Sequence, residues 1–321
     1  MTTILLAGKT GQVGWELRHA LAPLGRVIAL DRTQMDLTRP DSVSQAIREA
    51  APDIIVNAAG HTAVDKVESE PDLAMQVNAV APGVMAEEAK RLNALLVHYS
   101  TDYVFDGGKQ EPYAEEDEPN PVNAYGKSKL QGERAIAASG CAHLILRASW
   151  IYSSRGTNFV LTMLRLARER KELAIVNDQI GSPTWARALA QTTAELLVKT
   201  GRAKEKTGIY HLSATGYASR YDFAKKIIEL ARQLSGEQTG WATLRPITSA
   251  EYPLLAARPL NAATSKDKIK RIFGIEMSDW ACQLRSFLQE SIACRNHCTT
   301  GQAEGAPTWL NTMSRLPDDC N

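Results

Sequence analysis

Thr3 to Ala7 is a short apolar run that stops at Gly8-Lys9-Thr10-Gly11-Gln12-Val13-Gly14 and continues as the helix-like stretch Trp15 to Leu24. Strand, glycine-rich turn and helix in that order leave few folds open. Glycines at such positions let a backbone turn tightly and approach a pyrophosphate at the positive end of the following helix. Four more apolar runs come after it, Val27 to Asp31, Asp53 to Asn57, Leu95 to Ser100 and His143 to Ser149. Helical stretches at Asp41 to Ala50, Asp72 to Leu92 and Asn123 to Ser139 separate most of them. Near-continuous apolar strands alternating with helices belong to a parallel sheet covered on both faces, because crossover connections lay helices on each side. The expected fold class is therefore α/β, a Rossmann-type doubly wound sheet.

The alternation loosens after Trp150. Residues 1–150 read as a dinucleotide-binding domain to which some later segments return. Residues 151–293 read as a smaller, mainly substrate-binding α/β portion: helices at Asn158 to Arg170, Trp185 to Lys199 and Arg220 to Leu234, apolar runs at Leu173 to Val176 and Ile209 to Leu212, and a last helix at Ser278 to Ile292. Residues 294–321 mix Gly, Pro, Thr and Asp without a period and read as a loosely ordered tail. No internal repeat is visible.

In such a sheet the ligand lies outside the carboxyl ends of the strands. Gly8, Gly11, Gln12, Val13 and Gly14 are expected to hold the pyrophosphate. Asp31 ends the second apolar run 17 residues past Gly14, close to the ~20 at which an acid that binds the adenosine ribose belongs. Asp31 favours NADH, whereas Arg32 and Lys9 suit the 2′-phosphate of NADPH, so both cofactors stay open. Asp36 and Leu37 are placed beside the adenine, just after a short third strand. Gly60, His61 and Thr62 follow Asn57-Ala58-Ala59 at a strand mouth, and Tyr99 lies near the end of the fourth run.

Tyr125 and Lys129 stand four apart, on one face of a helix. A phenol titrates near pH ~10, and a neighbouring ammonium draws it toward the range useful for proton transfer. Lys129 also suits the nicotinamide ribose. The spacing alone decides little, because Tyr221 and Lys225 repeat it in the distal portion. What marks the first pair is Ser100-Thr101-Asp102 at the end of an apolar strand, where Thr101 can donate to a carbonyl oxygen as charge develops on it.

Charge and cysteines narrow the class further. Lys and Arg total 37 against 36 Asp and Glu in the 321 residues, a net charge of +1 that gives no pull toward nucleic acid or a membrane surface. A small-molecule partner and a cytoplasmic address are expected, with neither a signal-peptide start nor ~18 consecutive apolar residues. The five cysteines are odd in number and scattered, which reads as free thiols. Cys294, His297 and Cys298 lack a second pair at zinc spacing, so no metal site is expected there.

The glycine turn with Trp15-Glu16-Leu17, His61-Thr62-Ala63-Val64-Asp65, Ser100-Thr101-Asp102-Tyr103-Val104-Phe105-Asp106-Gly107, Tyr125-Gly126-Lys127, Arg147-Ala148-Ser149-Trp150, Gly181-Ser182-Pro183-Thr184 and Arg258-Pro259 stand in order. Together with Asn57-Ala58-Ala59-Gly60 and Lys129 they resemble the extended short-chain dehydrogenase/reductase family over about the first 290 residues. The resemblance implies NAD(P)H-dependent reduction of the 4-keto group of dTDP-6-deoxy-L-lyxo-4-hexulose to dTDP-L-rhamnose. It also implies that Thr101, Tyr125 and Lys129 are catalytic and that Val64, Thr101, Asp102 and Trp150 contact the sugar nucleotide. Taken alone, Trp150 reads more readily as a core aromatic. Arg258 suits a diphosphate or a plain surface role. Two alternatives accompany this: an epimerase or other reductase of the same superfamily, and a cofactor-binding regulatory subunit without catalysis. Tyr103 stands where related dehydratases carry Glu, and the intact Thr101, Tyr125 and Lys129 oppose the regulatory reading. Some relatives form a Mg²⁺-linked dimer through carboxylates. Glu16 matches one, but Arg187 stands where a distal acid is needed, so the bridging site is incomplete, an isolated Mg²⁺ requirement stays open, and a monomer or weak homodimer is expected.

Overall fold

The computed structural model describes residues 1–200 and 206–298, with side chains placed through residue 292. The first unit is β1 (Thr3–Ala7), the glycine turn, α1 (Gln12–Leu21) and β2 (Arg26–Leu30). There follow α2 (Pro40–Ala50), β3 (Ile54–Asn57), α3 (Ala81–Leu92), β4 (Leu95–Thr101), α4 (Ala124–Ser139) and β5 (Ala142–Ala148). Beyond these lie α5 (Phe159–Glu169), β6 (Glu172–Val176), α6 (Ala186–Thr200), β7 (Gly208–His211), α7 (Arg220–Ser235), β8 (Thr243–Ile247) and α8 (Trp280–Cys298).

Six strands form one parallel sheet in the order β7-β5-β4-β3-β1-β2. The order reverses at β1, with β2 on one side and β3 on the other, and this switch point opens a crevice at the strand ends. Strand alternation sorts the core between the two faces. Leu5, Ile55, Leu96 and Ile145 pack with Val43 and Ile47 of α2 and Met85 and Ala89 of α3. Ile4, Leu6, Val56, Val97 and Leu144 face the other way, onto Leu17 and Leu21 of α1 and Leu189 and Leu196 of α6. A separate cluster, built from Val160, Leu164, Leu173, Phe223, Ile227 and Phe287, fills the space between α5, β6, α7 and α8. The return of later segments to the first unit takes two forms, β7 at the sheet edge beside β5 and α6 against α1. Among the described residues, no helix is long and apolar enough to cross a membrane.

Four local differences separate the structure from the sequence reading. No strand precedes Asp36. Residues 31–39 form turns instead, because Asp31 Oδ1 accepts from the Thr33 N–H and hydroxyl, and Asp36 Oδ1 from those of Thr38. Such short acceptors compete with the strand ladder for backbone donors. The helix expected over 72–92 carries a wider π turn at Gln76–Val80, just before Pro82, whose missing N–H interrupts the regular bonding. Third, α8 runs through Cys298, so the first residues of the expected tail are helical, while residues 299–321 lie outside the described part. β8, which pairs in parallel with β6, had no apolar run to reveal it: Thr-Leu-Arg-Pro-Ile is half polar, as befits a two-stranded edge.

The approach of α1 to β1 depends on Gly14. A Cβ there would lie 2.0 Å from the Gly8 carbonyl oxygen, a backbone atom that cannot swing aside. Gly14→Ala is expected to destabilise the protein by about 1–3 kcal/mol through overpacking, despite the better helix propensity of Ala. Urea unfolding of the variant and the parent measures this.

Candidate active site

A cleft of about 700 Å³ lies at the carboxyl ends of β1, β3 and β4, a size suited to a small organic ligand. Its floor begins at α1, whose N-cap Gly11 offers no side-chain hydrogen bond and whose first turn holds no acid. The N–H groups of that turn are left for an anion. Gly8, Gly11, Gln12 and Val13 line this end, and Asp31, Arg32, Asp36 and Leu37 line its outer wall. Gly60, His61, Thr62, Val64, Tyr99, Thr101, Asp102, Tyr125, Lys129 and Trp150 line the rest. Two candidates stand elsewhere: Gly14 is spent on helix packing, and Arg258 is tied to Asp65 at 2.7 Å and to the Ala256 carbonyl at 2.6 Å.

At the outer wall, hydrogen bonds from the Thr33 hydroxyl and then Lys9 hold the Asp31 carboxyl down at about 2. Lys9 Nζ stands 2.9 Å from Asp31. One acid and one cation therefore share the position that separates a ribose hydroxyl from a 2′-phosphate. His61, by contrast, is engaged by the protein: its ring pairs with Glu70 at 3.0 Å and its N–H reaches Asn78 at 2.8 Å.

Helix α4 carries Tyr125 and Lys129 to the cleft in a fixed orientation. Asn123 caps it by accepting the Gly126 N–H at 2.8 Å, and its own amide donates to the Ala257 carbonyl. Thr101 is within hydrogen-bonding reach of the Tyr125 phenol. Burial raises the phenol well above its ordinary range, Asp102 and Tyr103 push the same way, and Thr101 is the group that lowers it. Lys129 is not turned on the phenol as its spacing suggested. Its Nζ donates to the Tyr99 carbonyl at 2.6 Å and lies 3.1 Å from His98 Nε2. Burial brings the Lys129 ammonium down to about 8, opposed by the charge of Glu133.

Asp102 is 2% exposed. It accepts from Ser149 Oγ at 2.6 Å and Thr101 Oγ1 at 3.1 Å, yet burial still raises its carboxyl to about 6. The Ser182 N–H in turn donates to Ser149 Oγ, and Lys266 donates to Ser182 Oγ. Arg220 completes this end, with its guanidinium 3.6 Å over the Trp150 ring and a hydrogen bond to Tyr103. Trp150 adopts φ +43°, a backbone strain typical of functional positions, and Gly181 makes room for its ring: a Cβ there would meet Trp150 Cε2 at 2.5 Å. Ser100 Oγ, buried and without a hydrogen-bond partner, lines the same cleft.

Arg220, His98 and Lys266 escaped the sequence reading, and Asn57, Ser149 and Ser182 stood in it only within matched segments, without a role. Arg220 opens α7, the helix that holds the second Tyr-x-x-x-Lys. Tyr221 in that helix packs against the distal core and Lys225 is exposed, so this second pair never reaches the cleft.

A family described as the RmlD substrate binding domain matches residues 1–293. The chain belongs to this RmlD family. The dTDP-4-dehydrorhamnose reductase of Burkholderia thailandensis is 46% identical over 282 residues, covering 86% of this chain and 95% of that one. The enzyme of the same name from Escherichia coli K12 is 44% identical over 291 residues, or 89% and 97% of the two chains. Among solved structures, the dTDP-4-dehydrorhamnose reductase of Bacillus anthracis in complex with NADP superposes with a TM-score of 0.81 at 35% identity, covering 90% of this chain and 99% of that one.

In this RmlD chain the residues present do not fit a bridging Mg²⁺. Arg187 Nε donates to Glu16 at 3.0 Å and the same guanidinium pairs with Glu290, so a side-chain cation already stands between the two carboxylates. Treatment with EDTA is expected to leave the unfolding midpoint unchanged, whereas Arg187→Ala lowers stability by about 1–2 kcal/mol by leaving the largely buried Glu16 unpaired. Thermal unfolding with and without chelator checks both.

Asp102 offers a second test with a definite sign. Its carboxyl holds a proton up to about 6 in the fold but only to ~3.9 when unfolded. The unfolded chain therefore releases its proton first, and the stability contributed by this group falls as pH rises from about 4 to about 6. Asp102→Asn stays neutral. It is expected to be more stable than the parent by about 1–3 kcal/mol at pH 7, with the difference vanishing below about pH 4. Urea unfolding across that range measures it.

Proposed function

We propose that this chain reduces the 4-keto group of dTDP-6-deoxy-L-lyxo-4-hexulose, giving dTDP-L-rhamnose, with Thr101, Tyr125 and Lys129 at the reacting end of the cleft. The chain is an NAD(P)H-dependent oxidoreductase of the RmlD family. The observation that carries the reading is the meeting of Tyr125 and Thr101 at the end of β4, in the same cleft as the uncapped N-terminus of α1.

When bound, NAD(P)H supplies the hydride. The open first turn of α1 would hold its pyrophosphate, and the Lys9–Asp31 pair would meet its adenosine ribose. Thr101 orients the ketone oxygen. Tyr125 transfers its phenolic proton to that oxygen as negative charge builds there; a phenol whose protonated form is favoured by burial is a competent donor. Asp102, Trp150 and Val64 line the cleft and would border the sugar. Arg220, a cation in the cleft wall, suits the substrate's diphosphate, whereas Arg258 is taken up by Asp65. Tyr103, spent on Arg220, offers no carboxylate for dehydration. The substrate is a small molecule, the expected state is a monomer or weak homodimer, and the setting is the cytoplasm.

Purified protein supplied with the 4-keto nucleotide sugar is expected to oxidise NADH or NADPH, followed by absorbance with each cofactor in turn. Absence of oxidation with either would overturn the reading in favour of a regulatory subunit. Tyr125→Phe is expected to lower kcat by about 10²-fold or more with cofactor affinity nearly intact.

A further inference from the structure

Residues 153–158 lead into α5 and rest on the first turn of α1, where Ser153 and Asn158 reach Gln12. Asn158 is the joint between the two helices. Its Oδ1 accepts the Leu161 N–H at 3.1 Å and so caps α5. That bond fixes which way the amide faces. The Nδ2 at its other end donates to the Ser153 carbonyl at 2.8 Å and to Gln12 Oε1 at 3.1 Å, with the Arg155 carbonyl more distant at 3.4 Å. Ser153 Oγ stands 3.1 Å from the same Gln12 oxygen. Both Ser153 and Asn158 are buried, so bulk water competes little for these bonds. A primary amide carries one oxygen and two N–H donors. With its oxygen engaged by residues 153–158, Gln12 keeps both donors for the cleft that it lines. Farther out, the Arg155 guanidinium lies 3.7 Å over the ring of Trp15, about one turn along α1, and pins the segment to that helix.

We propose that residues 153–158 form a strap over the pyrophosphate end of the cleft, in which Asn158 is a positioning residue that turns the Gln12 side-chain N–H groups toward a phosphate of the dinucleotide. This rests on the NAD(P)H reading of the cleft. Gln12 is the first residue of α1, so its side-chain donors would add to the backbone N–H groups of the uncapped turn. An unheld amide presents either end, and its oxygen is repelled by a phosphate. Asn158 removes that ambiguity. The local charge agrees, since neither α1 nor α5 has an acid in its first turn. Gly156, at φ +65°, makes the bend that lets the strap return to α5 over Gln12, a backbone conformation that glycine adopts without strain. One side chain thus starts α5, in the distal portion, and orients the anion-binding end of α1, in the first unit.

The test is calorimetric titration of the full chain with NADPH, without sugar substrate. Asn158→Ser and Asn158→Thr both keep a capping oxygen for α5 but lack the amide donor, so one misfolded variant does not block the experiment. Each is expected to raise the Kd for NADPH by about tenfold, the loss of one hydrogen bond to a charged group. Gln12→Ala is expected to do at least as much. Because Asn158 acts through Gln12, adding Asn158→Ser to Gln12→Ala is expected to cost nothing further. Adenosine 2′-phosphate, which has no pyrophosphate, is expected to bind the parent and all variants alike, an outcome that a general loosening of the fold would not give. An unchanged Kd for NADPH in the Asn158 variants, additive losses in the double variant, or an equal loss for adenosine 2′-phosphate overturns the proposal. Binding of NADPH by the parent bears on the cofactor reading itself, whereas the differences between parent and variants bear on the strap alone.

Discussion

Parallel pairing is the constraint from which the rest of this molecule follows. Six strands that all run the same way end on one rim of the sheet, and each must be regained through a crossover of a dozen or more residues. The crossovers cover both faces and leave the rim to the strand-end segments. Gly8 to Gln12, Ala58 to Thr62, Ser100 to Tyr103 and Ala148 to Ile151 therefore converge without any contact between them in sequence. The switch at β1 parts the neighbouring crossovers and opens the space they share.

Chemistry at the rim depends on how little water reaches it. Asp102, Tyr125 and Lys129 are each moved toward the neutral form, and for each the largest cause is burial. Carboxyl, phenol and amine thus carry charge less readily there than they would in water. Hydroxyls do the fine positioning: Thr101 and Ser149 reach Asp102, and Ser182 links that pair to Lys266. The stability given up by burying so many polar groups is a cost that active sites commonly carry.

The large features were legible because they are periodic or local. Apolar runs located β1 to β5 within a residue or so, since strands covered on both faces need continuous apolar sequence. The glycine turn and the Thr101, Tyr125 and Lys129 set could be placed because each lies at a strand end or on one helix turn. What stayed hidden was contact across long separations. Nothing in the spacing of Asn57, His98 and Lys129 announces a shared buried chain, since only the register of β3 on β4 and the packing of α4 bring them together. Arg220 was masked by its helix, which reads as an ordinary distal element until Trp150 is seen beneath it. The turn at Asp31 and Asp36 misled for a local reason, the competition of short acceptors with a strand.

The late arrival of β7 has a consequence for how the chain comes into being. Its partner β5 is finished by residue 148, but β7 begins only at residue 208, after α5, β6 and α6 have been made. During synthesis the edge of β5 waits exposed while about a fifth of the chain is added, and α1 waits for α6. The core between β1, α1 and α6 needs residues from both ends of the described chain, so that part is expected to consolidate late, with β5 the edge most open to misplaced pairing until then.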